Sequence, residues 1–195
     1  MRLAPGGWRY AAVPGVLAVP AFFVTPFAAG ALLLVGGFAL WFFRDPERSP
    51  AGEGVVSPAD GTVSVVREEA GRLRVGVFMN VDDVHVNRAP LGGTVEAVDH
   101  RAGAHRPAFS KDSDRNEQLR LDFGDHTVVL IAGWFARRIT PYVEPGDTLE
   151  RAERLGHIAF GSRADVVLPA GYEREHLHVA EGDTVRAGRT VIARR

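Results

Sequence analysis

The chain has 195 residues, no cysteine, and a formal net charge of −1 from 23 Lys and Arg against 24 Asp and Glu. This length suits one domain with an appendage, and the balanced charge argues against a general nucleic-acid binder, which normally carries a basic excess. The lack of cysteine excludes disulfide frameworks and thiolate metal sites.

The first predicted element is a hydrophobic helical hairpin. Residues 10–43 are 34 consecutive residues without a charge, and 26 of them are hydrophobic. A bilayer crossing takes about 20 helical residues, so this stretch is too long for one simple span and barely long enough for two. Pro26 after Thr25 breaks it, and we predict helices over residues 11–24 and 27–43.

Basic residues flank the hairpin on both sides and favour a cytoplasmic location for both of its ends. A cleaved signal peptide would have a shorter apolar region and an A-x-A-like site, which is not evident. A buried pair of core helices is the remaining alternative. The flanking residues are Arg2, Arg9, Arg44 and Arg48.

The remainder of the chain is predicted to be rich in β-strands. Residues 62–66, 73–78 and 118–123 have the alternating or β-branched composition of strands. Gly124-Asp125 then turns the chain into the apolar run 127–132, which predicts a hairpin. Short strands at this spacing are typical of a sandwich or barrel-like fold.

A weak internal repeat supports this interpretation. Val143-Glu144-Pro145-Gly146-Asp147-Thr148-Leu149 recurs as Val179-Ala180-Glu181-Gly182-Asp183-Thr184-Val185. The Gly-Asp pair predicts a turn in each copy. The pattern resembles the barrel-sandwich hybrid of biotinyl and lipoyl modules, but Lys111 is the only lysine and lacks the context of an attachment site. A carrier function is therefore not expected.

Polar chemistry is concentrated in three segments. Ser57-Pro58-Ala59-Asp60-Gly61 alone is most simply a turn. The second segment, 80–90, places ionisable and amide groups beside His85 after an apolar strand, which favours a site. The third, 156–169, contains Gly161-Ser162. The sequence has no G-x-S-x-G, Walker loop, H-E-x-x-H or dinucleotide fingerprint.

Taken in order, five segments resemble phosphatidylserine decarboxylase, specifically its short bacterial and archaeal pyruvoyl-dependent form. The resemblance runs from about residue 42 to the C-terminus, and the hydrophobic hairpin also fits it. The segments are Phe43-Arg44-Asp45-Pro46-Glu47-Arg48, Ser57-Pro58-Ala59-Asp60-Gly61, Asp83-Val84-His85-Val86-Asn87-Arg88-Ala89-Pro90, Asn116-Glu117 and Phe160-Gly161-Ser162.

The resemblance implies a self-processing enzyme that is cut between Gly161 and Ser162. The Ser162 hydroxyl would attack the Gly161 carbonyl, which has no side chain to shield it. Elimination and hydrolysis would then convert Ser162 to a pyruvoyl group with loss of ammonia. The products would be a β chain of residues 1–161 and an α chain of residues 162–195, which remain together as a heterodimer.

The resemblance also assigns roles to other residues. His85 would be the base that activates Ser162, and Asp60 would orient and charge-stabilise its imidazole, as in a Ser-His-Asp arrangement. Substrate binding is expected from Arg88, which can hold a phosphate or carboxylate, and from Arg163, Asn116 and Glu117.

The implied reaction converts phosphatidylserine to phosphatidylethanolamine and CO2. The pyruvoyl ketone would form a Schiff base with the substrate amine and accept electrons as CO2 leaves, with neither pyridoxal phosphate nor a metal. Two features depart from the longer enzymes of the family. Arg88 stands where they have a second histidine, and Phe160-Gly161-Ser162-Arg163 stands where they have Leu-Gly-Ser-Thr.

These expectations give a mainly β, barrel-sandwich-hybrid-like catalytic domain over residues 49–195, after a membrane-associating hairpin over 1–48. The expected partner is a membrane phospholipid and not nucleic acid, at the cytoplasmic face of the cell membrane, and a higher homo-oligomer is left open. Residues 104–116 are predicted to form a loop near the active-site entrance. The alternatives are a pyruvoyl decarboxylase of another serine phospholipid, such as an ether lipid, or of a soluble amino acid, and a non-enzymatic membrane-anchored adaptor.

Overall fold

A computed structural model describes residues 2–103, 116–133, 139–159 and 162–195. Gly161 and all but the last residue of the predicted loop 104–116 lie outside these described residues. The chain divides into two compact units, Met1–Glu47 and Arg48–Arg195.

The N-terminal unit is a helical hairpin closed by a short strand pair. Helices α1 (Trp8–Val24) and α2 (Pro26–Phe42) have 17 residues each, which makes each about 25 Å long. The break falls at Thr25, whose backbone is extended, and Pro26 then opens α2 at a position that needs no backbone N–H donor. Strands β1 (Arg2–Leu3) and β2 (Arg44–Asp45) pair with each other. The predicted hairpin is confirmed.

The two helices leave many of their apolar side chains exposed. Phe23 is 84% exposed, Val24 85% and Phe27 90%, and all three lie at or beside the turn between the helices. At the other end, Arg44 lies over the ring of Trp41 at 4.3 Å. Neither helix is both long and apolar enough to reach from one side of a bilayer to the other, within the part of the chain that the structure describes.

The second unit is built from antiparallel strands, and the mainly β prediction is confirmed. The strands are β3 (Val55–Val56), β4 (Gly61–Glu69), β5 (Arg72–Met79), β6 (Val86–Arg88), β7 (Gly93–Thr94), β8 (Ala97–Arg101), β9 (Gln118–Asp122), β10 (Thr127–Ile131), β11 (Ile139–Pro141), β12 (Thr148–Leu149), β13 (Arg154–Ile158), β14 (Ser162–Val167), β15 (Thr184–Val185) and β16 (Val191–Ala193). A seven-stranded sheet has the order β15-β4-β5-β14-β10-β9-β8, and a three-stranded sheet has the order β11-β13-β6. Two further strand pairs are β12-β7 and β16-β3.

The predicted β-hairpin at Gly124-Asp125 is present, and a second hairpin that was not predicted packs on the same apolar core. β9 and β10 pair around Gly124, whose φ of +80° favours glycine. β4 and β5 pair in the same way around Gly71, whose φ is +74°. Alternate residues of these strands point inward, and the core includes Val75, Val77, Leu121, Val128, Leu130, Val166, Leu155 and Ile192.

The weak sequence repeat corresponds to a repeat of backbone contacts. Gly146 and Gly182 have φ values of +99° and +98°. The Gly146 N–H donates to the Val95 carbonyl oxygen, and the Gly182 N–H donates to the Val63 carbonyl oxygen, both at 2.8 Å. Each turn is closed by its aspartate, Asp147 or Asp183, which accepts a backbone N–H at 2.8 Å.

The repeat extends to two further segments that the sequence prediction did not connect. Gly61-Thr62-Val63 pairs with β15, the strand after the turn at Gly182. Gly93-Thr94-Val95 pairs in the same way with β12, the strand after the turn at Gly146. Ser57 makes backbone hydrogen bonds with residues 188 and 190, and Ala89 makes similar backbone hydrogen bonds with residues 152 and 153. Aligning the two halves places Asp60 opposite Gly92. Only one half therefore carries a carboxylate at this position.

Candidate active site

Several strands of the large sheet begin or end beside one another at the same end of the sheet. β5 ends at Met79, which is paired with Ser162, the first residue of β14. On the other side of β14, Arg163 is paired with Ile131, the last residue of β10. Ile131 is in turn paired with Gln118, the first residue of β9. Polar residues next to these strand ends are therefore gathered at one end of the sheet.

His85 is connected to β13 and, through the strand that follows it, to Met79. The backbone N–H of Ile158, which ends β13, donates to the His85 carbonyl oxygen at 3.3 Å. Asn87, two residues after His85, contacts the Met79 Sδ, and the Ser162 Oγ contacts the same sulfur. The strand that follows His85 therefore reaches the same methionine as Ser162.

Ser162 is fully buried, and its hydroxyl faces a thioether. Its relative exposure is 0%, and its Oγ lies 4.0 Å from the Met79 Sδ, to which it donates. A thioether sulfur is a weak acceptor, so this contact positions the hydroxyl without drawing off its proton. The structure thus places a buried serine hydroxyl at the start of a central strand.

His85 is 2% exposed, and its tautomer follows from one contact. Its Nδ1 lies 3.0 Å from the Asp83 carbonyl oxygen. A carbonyl oxygen can only accept, so Nδ1 carries a hydrogen in this contact. Nε2 is therefore the ring nitrogen that remains to act as a base whenever the ring is neutral.

Asp60 is held by groups other than His85. Its Oδ2 accepts from Nη2 of Arg48 at 2.6 Å, and its Oδ1 accepts from the backbone N–H of Ala187 at 2.7 Å. No hydrogen bond joins Asp60 to His85, both of which the structure describes. The predicted role of Asp60 in orienting His85 stays a prediction, and any such effect would act through space.

The carboxyl group of Asp83 is the titratable group next to His85 in sequence. Burial raises its pKa, and the negative charges of Asp82 and Asp60 raise it further. A hydrogen bond from the backbone N–H of Asn80 to Oδ2, at 2.8 Å, opposes this shift. The surroundings of His85 therefore contain a cluster of acidic groups.

Arg88 lies on β6 and is 3% exposed. Its Nη1 donates to the Ala152 carbonyl oxygen at 3.3 Å, and its backbone N–H donates to the Pro58 carbonyl oxygen at 2.9 Å. The second bond places β6 beside the turn that carries Asp60. The substrate-binding role of Arg88 stays a prediction.

Arg163 belongs to a buried ionic cluster. Its Nε and Nη2 donate to the two carboxylate oxygens of Asp165 at 2.8 and 2.9 Å. Nε of Arg74 also donates to Asp165, at 2.6 Å, and Nη1 of Arg74 donates to Glu69 at 2.7 Å. Burial lowers the pKa of Arg74, but Asp165 and Glu69 together raise it above its ordinary value. The side chain of Arg163 is only 2% exposed. Its role in binding a head group stays a prediction.

Asn116 and Glu117 lie at the same end of the sheet as Ser162. Nδ2 of Asn116 donates to the Ala132 carbonyl oxygen at 2.8 Å, just beyond the end of β10. Oε1 of Glu117 lies 2.8 Å from Nε2 of His100 on β8. The structure thus brings both residues to the predicted site region, while their role in binding substrate stays a prediction.

Met79 and Asn87 contact each other beside Ser162, and sequence patterns did not point to either residue. Asn87 is fully buried on β6, and its Nδ2 donates to the Met79 Sδ at 3.6 Å. The Oδ1 of Asn87 is buried and has no hydrogen-bond partner. The available signal was an amide in a short apolar strand directly after a histidine, because buried amides normally need partners.

A second histidine lies on the strand before the cleavage segment. His157 is 8% exposed, and a hydrogen bond of 2.8 Å joins its Nδ1 to the Tyr142 hydroxyl. Burial lowers the pKa of His157, so its ring is neutral at physiological pH.

Comparison with known proteins gives a consistent result. The sequence model of the family described as phosphatidylserine decarboxylase matches residues 35–193. A protein of Halobacterium salinarum named "Putative archaetidylserine decarboxylase proenzyme" is 58% identical over 191 residues, 97% of each chain. A "Phosphatidylserine decarboxylase proenzyme" of Thermobifida fusca is 49% identical over 86% of this chain and 77% of its own. Another of that name, from Solibacter usitatus, is 43% identical over 100% of this chain and 98% of its own. These matches show that this chain belongs to the phosphatidylserine decarboxylase family and is an enzyme of that type.

Proposed function

We propose that this chain cuts itself between Gly161 and Ser162 and then removes CO2 from the serine head group of a phospholipid, with a pyruvoyl group made from Ser162. The observation that carries the proposal is the placement of the Ser162 hydroxyl, which is fully buried at the start of β14 on the Met79 sulfur that Asn87, two residues after His85, also contacts. Membership of the family excludes the non-enzymatic adaptor as an alternative.

The cut requires a nucleophile and a base. The Ser162 oxygen would bond to the Gly161 carbonyl carbon, and the Gly161–Ser162 amide bond would break. The His85 Nε2 would take the hydroxyl proton and pass it to the departing nitrogen. Because the Asp83 carbonyl holds the Nδ1 proton, His85 accepts this proton at a single defined atom.

The resulting ester would then be opened by elimination. Loss of the Ser162 α-proton and cleavage of its Cβ–O bond leave the oxygen on Gly161 as a carboxylate. Water then replaces the residue 162 nitrogen, which leaves as ammonia. The contact of the Ser162 side chain with a thioether suits both states, because sulfur tolerates a hydroxyl before the reaction and a methyl group afterwards.

The residues around position 162 fit a pyruvoyl group. They offer a buried apolar contact at Met79, and the carboxamide of Asn87, whose Oδ1 has no donor of its own. When present, the group supplies an electron sink for the electron pair that decarboxylation releases. His85 would return a proton to the substrate carbon.

Both products of the cut would remain together. Residues 162–195 include β14, which is paired with β5 on one side and β10 on the other, and β15 and β16, which pair with β4 and β3. The hydrogen bond from Ala187 to Asp60 and the ion pair of Asp165 with Arg74 also cross between the products. These contacts support the proposal that the two chains stay together as a heterodimer without a covalent link.

Two substrates share the required head group. Most of the named relatives are phosphatidylserine decarboxylase proenzymes, and this favours phosphatidylserine. The 58% identical relative over 97% of both chains is named for archaetidylserine, and this observation supports the ether-linked lipid as a second candidate. Both candidates require the same chemistry at residue 162.

The hairpin unit suits an enzyme whose substrate stays in a bilayer. Moving an acyl chain into water costs about 0.8 kcal/mol per CH2 group. The exposed Phe23, Val24 and Phe27 offer the surface needed to bind lipid, and Trp41 with Arg44 matches the aromatic and basic residues found at membrane interfaces. We propose that the enzyme works on the cytoplasmic face of the cell membrane.

Intact mass measurement of the purified protein tests the proposal. We expect two chains, 1–161 and 162–195, with the smaller chain blocked by a pyruvoyl group. Release of CO2 should be measured from diacyl phosphatidylserine and from its ether-linked analogue in matched detergent micelles. A single uncut chain after long incubation, without CO2 release from either lipid, would overturn the proposal.

A further inference from the structure

The carboxamide of Asn87 is a polar group whose bonding is incomplete. Asn87 is 0% exposed, and its Oδ1 is buried without a hydrogen-bond partner. A buried acceptor left without a donor costs about 1–3 kcal/mol. Such a group calls for a partner that the protein itself does not supply, such as a ligand, a reacting group or a water molecule.

The position of Asn87 relative to Ser162 is set by a shared contact. The Met79 Sδ accepts from Nδ2 of Asn87 at 3.6 Å and from Oγ of Ser162 at 4.0 Å. The Asn87 amide and the Ser162 hydroxyl therefore both contact the same sulfur atom. Because Nδ2 is the atom that faces the sulfur, Oδ1 is the atom left for another molecule.

We propose that Oδ1 of Asn87 accepts a hydrogen bond from the amino group of the serine head group as that amine arrives at residue 162. This inference rests on the proposed function and names the residue that receives the substrate amine. An amine carries N–H donors, which match an acceptor that has none.

The neutral amide also suits the chemistry better than a carboxylate would. The amine must lose its extra proton before it can act as a nucleophile. A carboxylate beside it would stabilise the ammonium form and raise the pKa of the amine. An amide oxygen can orient the amine with a much weaker effect of this kind.

The test compares wild-type protein with Asn87→Leu and Asn87→Asp. Each protein is first checked for the cut by intact mass and for stability by thermal unfolding. Glycerophosphoserine is then added with sodium cyanoborohydride, and the mass gained by the 162–195 chain measures amine capture independently of CO2 release.

Asn87→Leu should be cut normally and unfold at the same temperature or higher, because the unsatisfied acceptor is gone. Its rate of amine capture should fall by about ten- to a hundred-fold, the effect of one hydrogen bond to a charged or reacting group. Asn87→Asp keeps an acceptor, so it should capture the amine, with a pH profile shifted to higher pH.

Each alternative result is decisive. Unchanged capture by Asn87→Leu, or equal loss in both variants, would overturn the role of Oδ1. An uncut variant, or one that unfolds at a much lower temperature, would make Asn87 a self-cleavage or structural residue and would also overturn it. An uncut wild-type chain would instead overturn the proposed function, and this inference with it.

Discussion

The hairpin unit and the β unit distribute apolar and polar side chains in opposite ways. In the hairpin, Phe23 and Phe27 are 84% and 90% exposed. In the β unit, Arg163 and Asp165 are 2% and 0% exposed. Exposed large apolar groups in a continuous stretch indicate a surface for lipid or protein, whereas buried charges persist only when they are paired. The contrast separates an exposed apolar surface from buried polar groups within one short chain.

The first prediction concerns the buried hydroxyl of the β unit and has the largest expected effect. Ser162→Ala removes the nucleophile, so the chain should stay uncut and release no CO2. Intact mass and CO2 assay check this. The matched control is Ser64→Ala, because Ser64 lies on β4 and its hydroxyl donates to the Gly76 carbonyl oxygen at 3.5 Å. Normal CO2 release by Ser162→Ala would refute the assignment.

The second prediction concerns the buried charges. Asp165→Asn leaves Arg74 and Arg163 buried without their carboxylate, and this should cost about 3–5 kcal/mol of unfolding free energy. Urea unfolding should be measured in the uncut Ser162→Ala background, so that one chain unfolds.

Glu47→Gln is the control for this change. It removes an ion pair with Arg2 in the other unit, where both side chains are mostly exposed, and should leave stability unchanged within error. Equal losses of unfolding free energy in the two variants would contradict the difference between buried and exposed charges in the two units.

The third prediction concerns the exposed apolar groups of the hairpin. Replacing both Phe23 and Phe27 by Ser should weaken binding to liposomes by about ten-fold or more, because each buried Phe contributes about 1.5–3 kcal/mol. The unfolding temperature should not fall, since both rings are exposed in the folded chain. Flotation with liposomes measures binding.

Activity on detergent-solubilised substrate serves as the control for the hairpin variant. It should match the wild type, because the residues at the end of the large sheet are untouched. A variant that still floats with liposomes would show that these side chains have a role other than contact with lipid.

The fourth prediction has the smallest expected effect. Burial lowers the pKa of His126 and His157, so the folded state binds fewer protons than the unfolded state does. Stability should therefore be full above the unfolded pKa of about 6.5 and decline as pH falls below it. Urea unfolding between pH 5 and 8 in the Ser162→Ala background measures this. A rise in stability on acidification would contradict the assignment.

Local sequence features predicted several elements correctly. Thr25-Pro26 marked the break between the helices because proline lacks the backbone donor that a helix interior needs. Gly124-Asp125 marked the β9–β10 hairpin because glycine adopts a positive φ without strain. The segments carrying Asp60, His85 and Ser162 were also selected from sequence, and these residues lie in the β unit that bears the candidate site.

Contacts between distant residues were not accessible in this way. The pairing of Arg163 and Arg74 with Asp165 depends on β14 lying next to β5, which are about ninety positions apart. The expectation that Arg163 reaches a head group came from its place beside Ser162 in sequence. The matching backbone contacts of Ser57 and Ala89 were likewise visible only after folding.

By itself, the amino-acid sequence determined the two kinds of unit, the family and the segments that carry reactive groups. Hydrophobic patterning and turn residues act over a few positions and can therefore be read along the chain. The tertiary structure decided which partner each buried polar group has. In the folded chain, Asp60 accepts hydrogen bonds from Arg48 and Ala187, and the Met79 sulfur contacts both Asn87 and Ser162. Such pairings follow from strand order and register, which arise only when remote segments pack together.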